Sequence, residues 1–201
     1  MGGSDTTSST MEWAMAELLR SPRAMKKVQE EIRRVVGDKS KIEVDDINQM
    51  EYLKCVIRET LRLHPPAPLL VPRETTASIE LGGFRIPEKT RVFINAWAVQ
   101  RDPKVWDEAE EFVPERFEKS SINFKGQDFE LIPFGSGRRG CPGVMFAVAS
   151  TEYLMANVLY WFDWKLPNAM KPEELDMNEV YGQTVNRKVP LNLVPKPYYS
   201  S

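Results

Sequence analysis

The sequence predicts a mainly α fold with small β-sheets (α+β), and three observations predict it. Apolar residues recur at helical spacing in three stretches before residue 64. A proline-punctuated middle offers only short runs of strand character, and a long apolar helix follows Cys141.

Each element follows from the order of residues. Met11, Ala14, Met15, Leu18 and Leu19 share one helix face, ending near Arg20. Ser21 then caps a second helix with Pro22 in its first turn; Met25, Val28, Ile32, Val35 and Val36 carry the period until Gly37 closes it. A third helix runs through Leu53, Val56, Ile57 and Leu61 and stops at His64, because Pro65 and Pro66 disfavour helical backbone before them. Residues 69–72, 78–81 and 91–94 read as short strands, with Gly82 and Gly83 as a turn. The stretch 102–132 is broken by Pro103, Pro114 and Gly126, and a loop this long usually braces something. From Val144 through Leu159 the chain reads as a helix apolar enough to be buried, and 184–194 as strand and turn. No repeat or linker interrupts residues 1–201, which read as one piece of one domain.

Composition narrows the function. With 201 residues, 42% of them hydrophobic, the chain can hide roughly 70% of its unfolded surface without disulfides or metals. Lys and Arg total 27 against 29 Asp and Glu, a charge of -2 that gives no attraction to nucleic acid. Two distant cysteines, Cys55 and Cys141, and one histidine, His64, cannot make a structural zinc site or a disulfide framework. No signal peptide and no spanning segment of about 20 residues is expected.

The chemistry gathers at Phe134-Gly135-Ser136-Gly137-Arg138-Arg139-Gly140-Cys141-Pro142-Gly143. Cys141 precedes a helix start, whose N–H groups and dipole favour an anionic sulfur. Gly137, Gly140 and Gly143 are expected to let the backbone turn and approach that sulfur. Cys55 lies on the apolar side of its helix and reads as core. Glu59 and Arg62 share a helix face at a spacing of three. The same spacing at Glu17/Arg20, Glu30/Arg33, Glu31/Arg34 and Glu88/Arg91 reads as solvated surface pairs. His64, between a helix end and two prolines, reads as a cap or surface group.

The cysteine segment matches Phe-x-x-Gly-x-Arg-x-Cys-x-Gly, the loop signature of the cytochrome P-450 family. Five fixed positions recur by accident in such a chain only about a few times in a hundred thousand. With Glu59-x-x-Arg62, then Pro114-Glu115-Arg116-Phe117, then the cysteine loop, the order resembles the plant microsomal branch. The resemblance implies the C-terminal part of that fold, from the oxygen-binding central helix to a C-terminal hairpin. It implies heme b (iron protoporphyrin IX) with Cys141 as axial ligand, and Pro133, Phe134, Gly135, Gly143 and Ala147 beside it. Arg73 and Arg139 would pair with the propionates, and Glu59, Arg62 and Arg116 would form a buried network bracing the loop.

Gly2-Gly3-Ser4-Asp5-Thr6-Thr7 resembles the family's oxygen-binding kink, which makes Asp5 and Thr6 the proton-handling pair. Residues 67–71, with Ala67, Leu70 and Val71, and 181–185, with Thr184, would face the substrate. The implied reaction inserts one atom of O2 into a small apolar plant metabolite, with electrons from NADPH through an NADPH-cytochrome P-450 reductase. The parent protein would lie on the cytoplasmic face of the endoplasmic reticulum, held by an N-terminal anchor expected upstream of Met1. A truncated, non-catalytic chain with weak or no heme binding is the alternative. A third, a member that rearranges oxygenated substrates without a reductase, is disfavoured by Asp5 and Thr6.

Overall fold

The computed structural model describes residues 2–182 and 184–198; Met1 and Gln183, the latter within the 181–185 segment, lie outside the described residues. Six α-helices are present among them: α1 (Asp5–Arg20), α2 (Pro22–Val36), α3 (Val44–Asn48), α4 (Glu51–Leu63), α5 (Ala96–Val99) and α6 (Val144–Trp161). Four two-stranded antiparallel ladders accompany them. β1 (Arg73–Glu74) pairs with β4 (Arg91–Val92), and β2 (Ile79–Leu81) with β3 (Phe84–Ile86) across the Gly82-Gly83 turn. β5 (Phe162–Lys165) pairs with β8 (Val194–Pro197), and β6 (Glu179–Val180) with β7 (Asn186–Arg187).

The helices that position the site are α1, α2, α4 and α6, which pack on one another. Their apolar stripes supply Trp13, Leu18, Val28, Ile32, Leu53, Ile57, Met155 and Leu159, all fully buried. Asp5 in the first turn of α1 and Arg20 in its last match the helix dipole. The α1 helix begins six residues earlier than its apolar face, and in this first stretch Thr6, Thr7 and Thr10 turn their hydroxyls back to carbonyls four residues upstream. Glu31, expected in a solvated pair, instead accepts the amides of Tyr52 and Leu53 at 2.9 Å each and closes the start of α4. Arg33 reaches Asp163 on β5 at 2.8 Å rather than Glu30. Tertiary partners outbid neighbours on the same helix in both cases.

Residues 69–72 form no strand, because Leu70 closes a turn on Ala67 and pairing begins only at Arg73. A second expectation fails in part. Along α6 only one side is buried, by Thr151, Met155, Ala156, Leu159 and Tyr160. Met145 and Phe146 are 73% and 77% exposed, because the packing of α6 on α1, α2 and α4 engages a single face. Among the described residues no helix is long and apolar enough to cross a membrane.

Candidate functional site

The glycine-rich loop after Ile132 folds back on itself. Gly135 N–H donates to Ile132 O at 2.9 Å, Gly140 N–H to Gly137 O at 3.0 Å, and Cys141 N–H to Phe134 O at 2.9 Å. The last bond returns Cys141 to the side of Phe134, just ahead of α6, with its thiol exposed. Gly135, at φ +70°, takes a conformation that other residues rarely adopt. Only Gly143 matters to the sulfur directly: a Cβ there would stand 3.9 Å from Cys141 Sγ. The other two expected contacts do not form. Gly140 backs onto Gly137 O, and Gly137 faces open space but adopts φ +68°.

Neighbouring elements converge on the loop. Arg73 on β1 donates from Nη2 to the backbone Arg139 O at 2.8 Å, which ties β1 to the loop at Arg139. The turn from Ala67 to Leu70 closes through Leu70 N–H to Ala67 O at 3.0 Å, with Leu70 held at φ +51°. That strain carries the Leu70 side chain to Gly135, where Leu70 Cδ1 would lie 3.7 Å from an added Cβ. Val71 next to it is exposed, and Pro133 is buried beneath the loop. A narrow cleft of 30 Å³ separates Thr6, Thr7 and Thr10 on α1 from Phe134, Ala147 and Thr151. Asp5 stands exposed at the start of α1, with Ser4 Oγ donating to its Oδ1 at 3.1 Å. Thr184 is half-buried, and its neighbour Val185 is tied to α1 by Ser9 Oγ at 2.7 Å.

Behind the loop lies a fully buried carboxylate. Glu59 Oε2 accepts Arg62 Nε at 2.7 Å, and Oε1 accepts Arg62 Nη2 at 2.8 Å, Arg116 Nε at 2.9 Å and Val113 N–H at 2.9 Å. The remaining Arg62 donors go to the carbonyls of Gln100, Ala109 and Glu111. Arg116 ties down Asp107 O and Glu108 O. Four donors on one carboxylate and carbonyls on both guanidinium groups leave little of this charge without a partner.

Gln100 joins this network to the loop, and the sequence offered no signal for it. Its buried amide donates to Leu61 O and Arg62 O at 3.0 Å each, while its Oε1 accepts Ile132 N–H at 2.8 Å. A polar residue that follows a four-residue helix has no pattern to mark it. Gln100→Leu strands one buried donor and two carbonyls, so the unfolding free energy should fall by about 1–3 kcal/mol in urea titrations.

Two other residues depart from expectation. His64 caps α4, as read, but is buried, with its Nε2 2.7 Å from Glu17 Oε1. Glu17 is therefore no solvated partner of Arg20. Cys55 is core as expected, and burial pushes its thiol up to about 11. Iodoacetamide at pH 8 should modify Cys141 alone in the folded chain and both cysteines in urea, counted by mass.

Comparison with known proteins agrees with this geometry. The family model described as cytochrome P-450 matches residues 1–193. Phenylacetaldehyde oxime monooxygenase of Prunus mume is 63% identical over 200 residues, covering 98% of this chain and 38% of that protein. Cytochrome P-450 71A1 of Persea americana is 60% identical, covering 99% of this chain and 40% of the relative. Germacrene A hydroxylase of Barnadesia spinosa is 52% identical over 98% of the chain. A solved zebra fish cytochrome P-450 superposes with a TM-score of 0.86 at 30% identity, over 98% of this chain and 44% of its own. The chain thus spans about two fifths of the length of its curated relatives.

Proposed function

This chain belongs to the cytochrome P-450 family, and from that premise we propose that it is the heme-holding part of a monooxygenase that oxidises a small apolar plant metabolite. The observation that carries the reading is the exposed Cys141 thiol on a folded-back glycine loop at the start of α6, with Arg73 bonded to the loop's backbone at Arg139.

The donor set fits heme b. A thiolate is a known axial ligand to heme iron, and two guanidinium groups suit two propionates. Gly143 keeps the approach to the sulfur free of a side chain. Bound there, the heme supplies oxygen activation, with electrons from NADPH through an NADPH-cytochrome P-450 reductase. Everything else falls to the chain. Cys141 is held by the hydrogen bond from its amide N–H to Phe134 O, just ahead of α6. Asp5 meets solvent and Thr6 borders the cleft one residue later, so a proton taken up at the carboxyl can pass inward by way of the hydroxyl. Leu70, with Ala67, Val71 and Thr184, gives an apolar substrate its contacts. The names of the Prunus and Barnadesia relatives support a small, largely apolar substrate. The parent protein then acts at the cytoplasmic face of the endoplasmic reticulum.

A second reading has its own observation. The exposed Met145 and Phe146 favour a chain that, alone, holds heme weakly or not at all and does no chemistry. Adding heme to the purified chain, reducing it and supplying carbon monoxide separates the two. The first reading expects the red-shifted Soret band of thiolate-ligated iron; a folded chain without that band refutes it.

A further inference from the structure

His64 is the sole histidine of the chain, and the thiolate chemistry gives it no task. Its ring is buried at the end of α4, and groups from two other elements meet it there. From α1, Glu17 Oε1 lies 2.7 Å from Nε2, and the Trp13 indole stacks on the ring at 3.9 Å with planes 2° apart. From β6, Glu179 Oε1 stands 3.4 Å from Nδ1. Burial pushes the Glu179 carboxyl up, and the His64 contact, with smaller help from Tyr181 and Arg101, outweighs burial and holds it below the ordinary carboxylate range. The ring thus has a carboxylate oxygen at each edge and an indole on its face, so three side chains from two elements fix its position.

The cluster grips the chain at Glu179, and separate bonds hold it at Val185. Upstream, Glu179 is held at His64. Downstream, Val185 N–H donates to Pro66 O at 3.0 Å, two residues beyond His64, and Ser9 Oγ donates to Val185 O at 2.7 Å. The β6–β7 ladder, which includes Glu179 and begins its second strand just after Val185, pairs only two residues on each strand, too few to fix a loop alone. Ser9 lies one helical turn from Thr6, so the fastened segment sits against the part of α1 that borders the cleft.

We propose that His64, Glu17 and Glu179 form a positioning clamp that holds β6 at Glu179, keeps Val185 on the start of α1, and thereby sets how an apolar ligand lies in the site. The clamp's effect on ligands rests on the function proposed above; its grip on the segment does not. None of the three residues touches substrate or heme in this scheme.

The test compares wild-type chain, His64→Gln and Glu179→Gln, each with heme added. Hydrogen exchange is read by mass across residues 179–188, and naphthalene binding is read from the Soret absorption. In both variants exchange at 184–187 should rise about tenfold or more, the effect of losing a bond to a charged group. Naphthalene should bind several-fold more weakly while the carbon monoxide band of the reduced heme stays unchanged. Glu179→Gln preserves shape and secures the comparison should His64→Gln misfold. Unchanged exchange in folded Glu179→Gln overturns the clamp, and raised exchange with unchanged naphthalene binding overturns its influence on ligands. A missing carbon monoxide band in the wild type counts against the monooxygenase reading instead, and exchange still decides the clamp.

Discussion

Cys141→Ser should abolish the red-shifted carbon monoxide band of the reduced, heme-loaded chain while leaving the apo chain as stable as before. The two halves of this expectation come from different features of one residue. The Cys141 side chain is exposed, so exchanging sulfur for oxygen removes little packing, and the urea midpoint of the apo chain should move by no more than about 0.5 kcal/mol equivalent. The hydroxyl is close in size, but it keeps its proton at neutral pH, whereas a thiol near a helix N-terminus gives its proton up to the metal. Only the anion donates enough charge to iron to shift the band. Heme taken up with the same spectrum by Cys141→Ser would mean that another group is the ligand. Among the described residues Cys55 is the remaining thiol, and it is buried among α4 side chains. A large loss of stability would mean that Cys141 has a structural task its exposure does not suggest.

The parts of this picture that were legible in the sequence are those where one residue type at one spacing has a single physical use. The cysteine loop is such a case, since glycines, an arginine and a cysteine in that order leave few conformations open. So are the periodic runs in α2 and α4, whose observed ends at Gly37 and His64 agree with the caps read from glycine and proline. What stayed hidden depends on contacts distant in sequence. Glu31 carries the same i,i+3 arginine neighbour as Glu59, yet one caps a helix twenty residues on and the other anchors a buried network. Spacing on the helix cannot separate them, because the choice is made by which element packs alongside. Gln100 and the Glu17–His64–Glu179 cluster were invisible for the same reason. The short helices α3 and α5 escaped because four or five residues carry no readable period. Exposure of one face of α6 could not be foreseen either, for a uniformly apolar helix gives no stripe to distinguish the side that finds a partner.

Glu59→Ala should cost about 3–5 kcal/mol of unfolding free energy and, with it, the capacity to retain heme. The magnitude follows from what the carboxylate holds. Glu59 and Arg62 are both fully buried, and Arg116 nearly so, with side-chain exposures of 0%, 0% and 11%. Alanine leaves two guanidinium groups in a poor solvent without their counter-charge, along with an unpaired Val113 amide. Against a total stability of about 5–15 kcal/mol for an ordinary domain, such a loss is roughly a fifth or more. Lys26→Ala, which removes an i,i+4 pair to Glu30 that is 77% and 66% exposed, should change stability by no more than about 0.5 kcal/mol in the same assay. Heme retention joins the expectation through geometry, because Arg62 bonds Gln100, Gln100 bonds Ile132, and Ile132 bonds Gly135 at the root of the cysteine loop. Glu59→Gln discriminates between charge and shape: it preserves an acceptor for Arg62 and Val113 but removes the negative charge, and should lie between wild type and alanine. If Glu59→Gln matches wild type, the network works as a hydrogen-bond hub and its charge is incidental. If Glu59→Ala loses less than about 1 kcal/mol, the brace between α4 and the cysteine loop does not carry the stability that its burial implies.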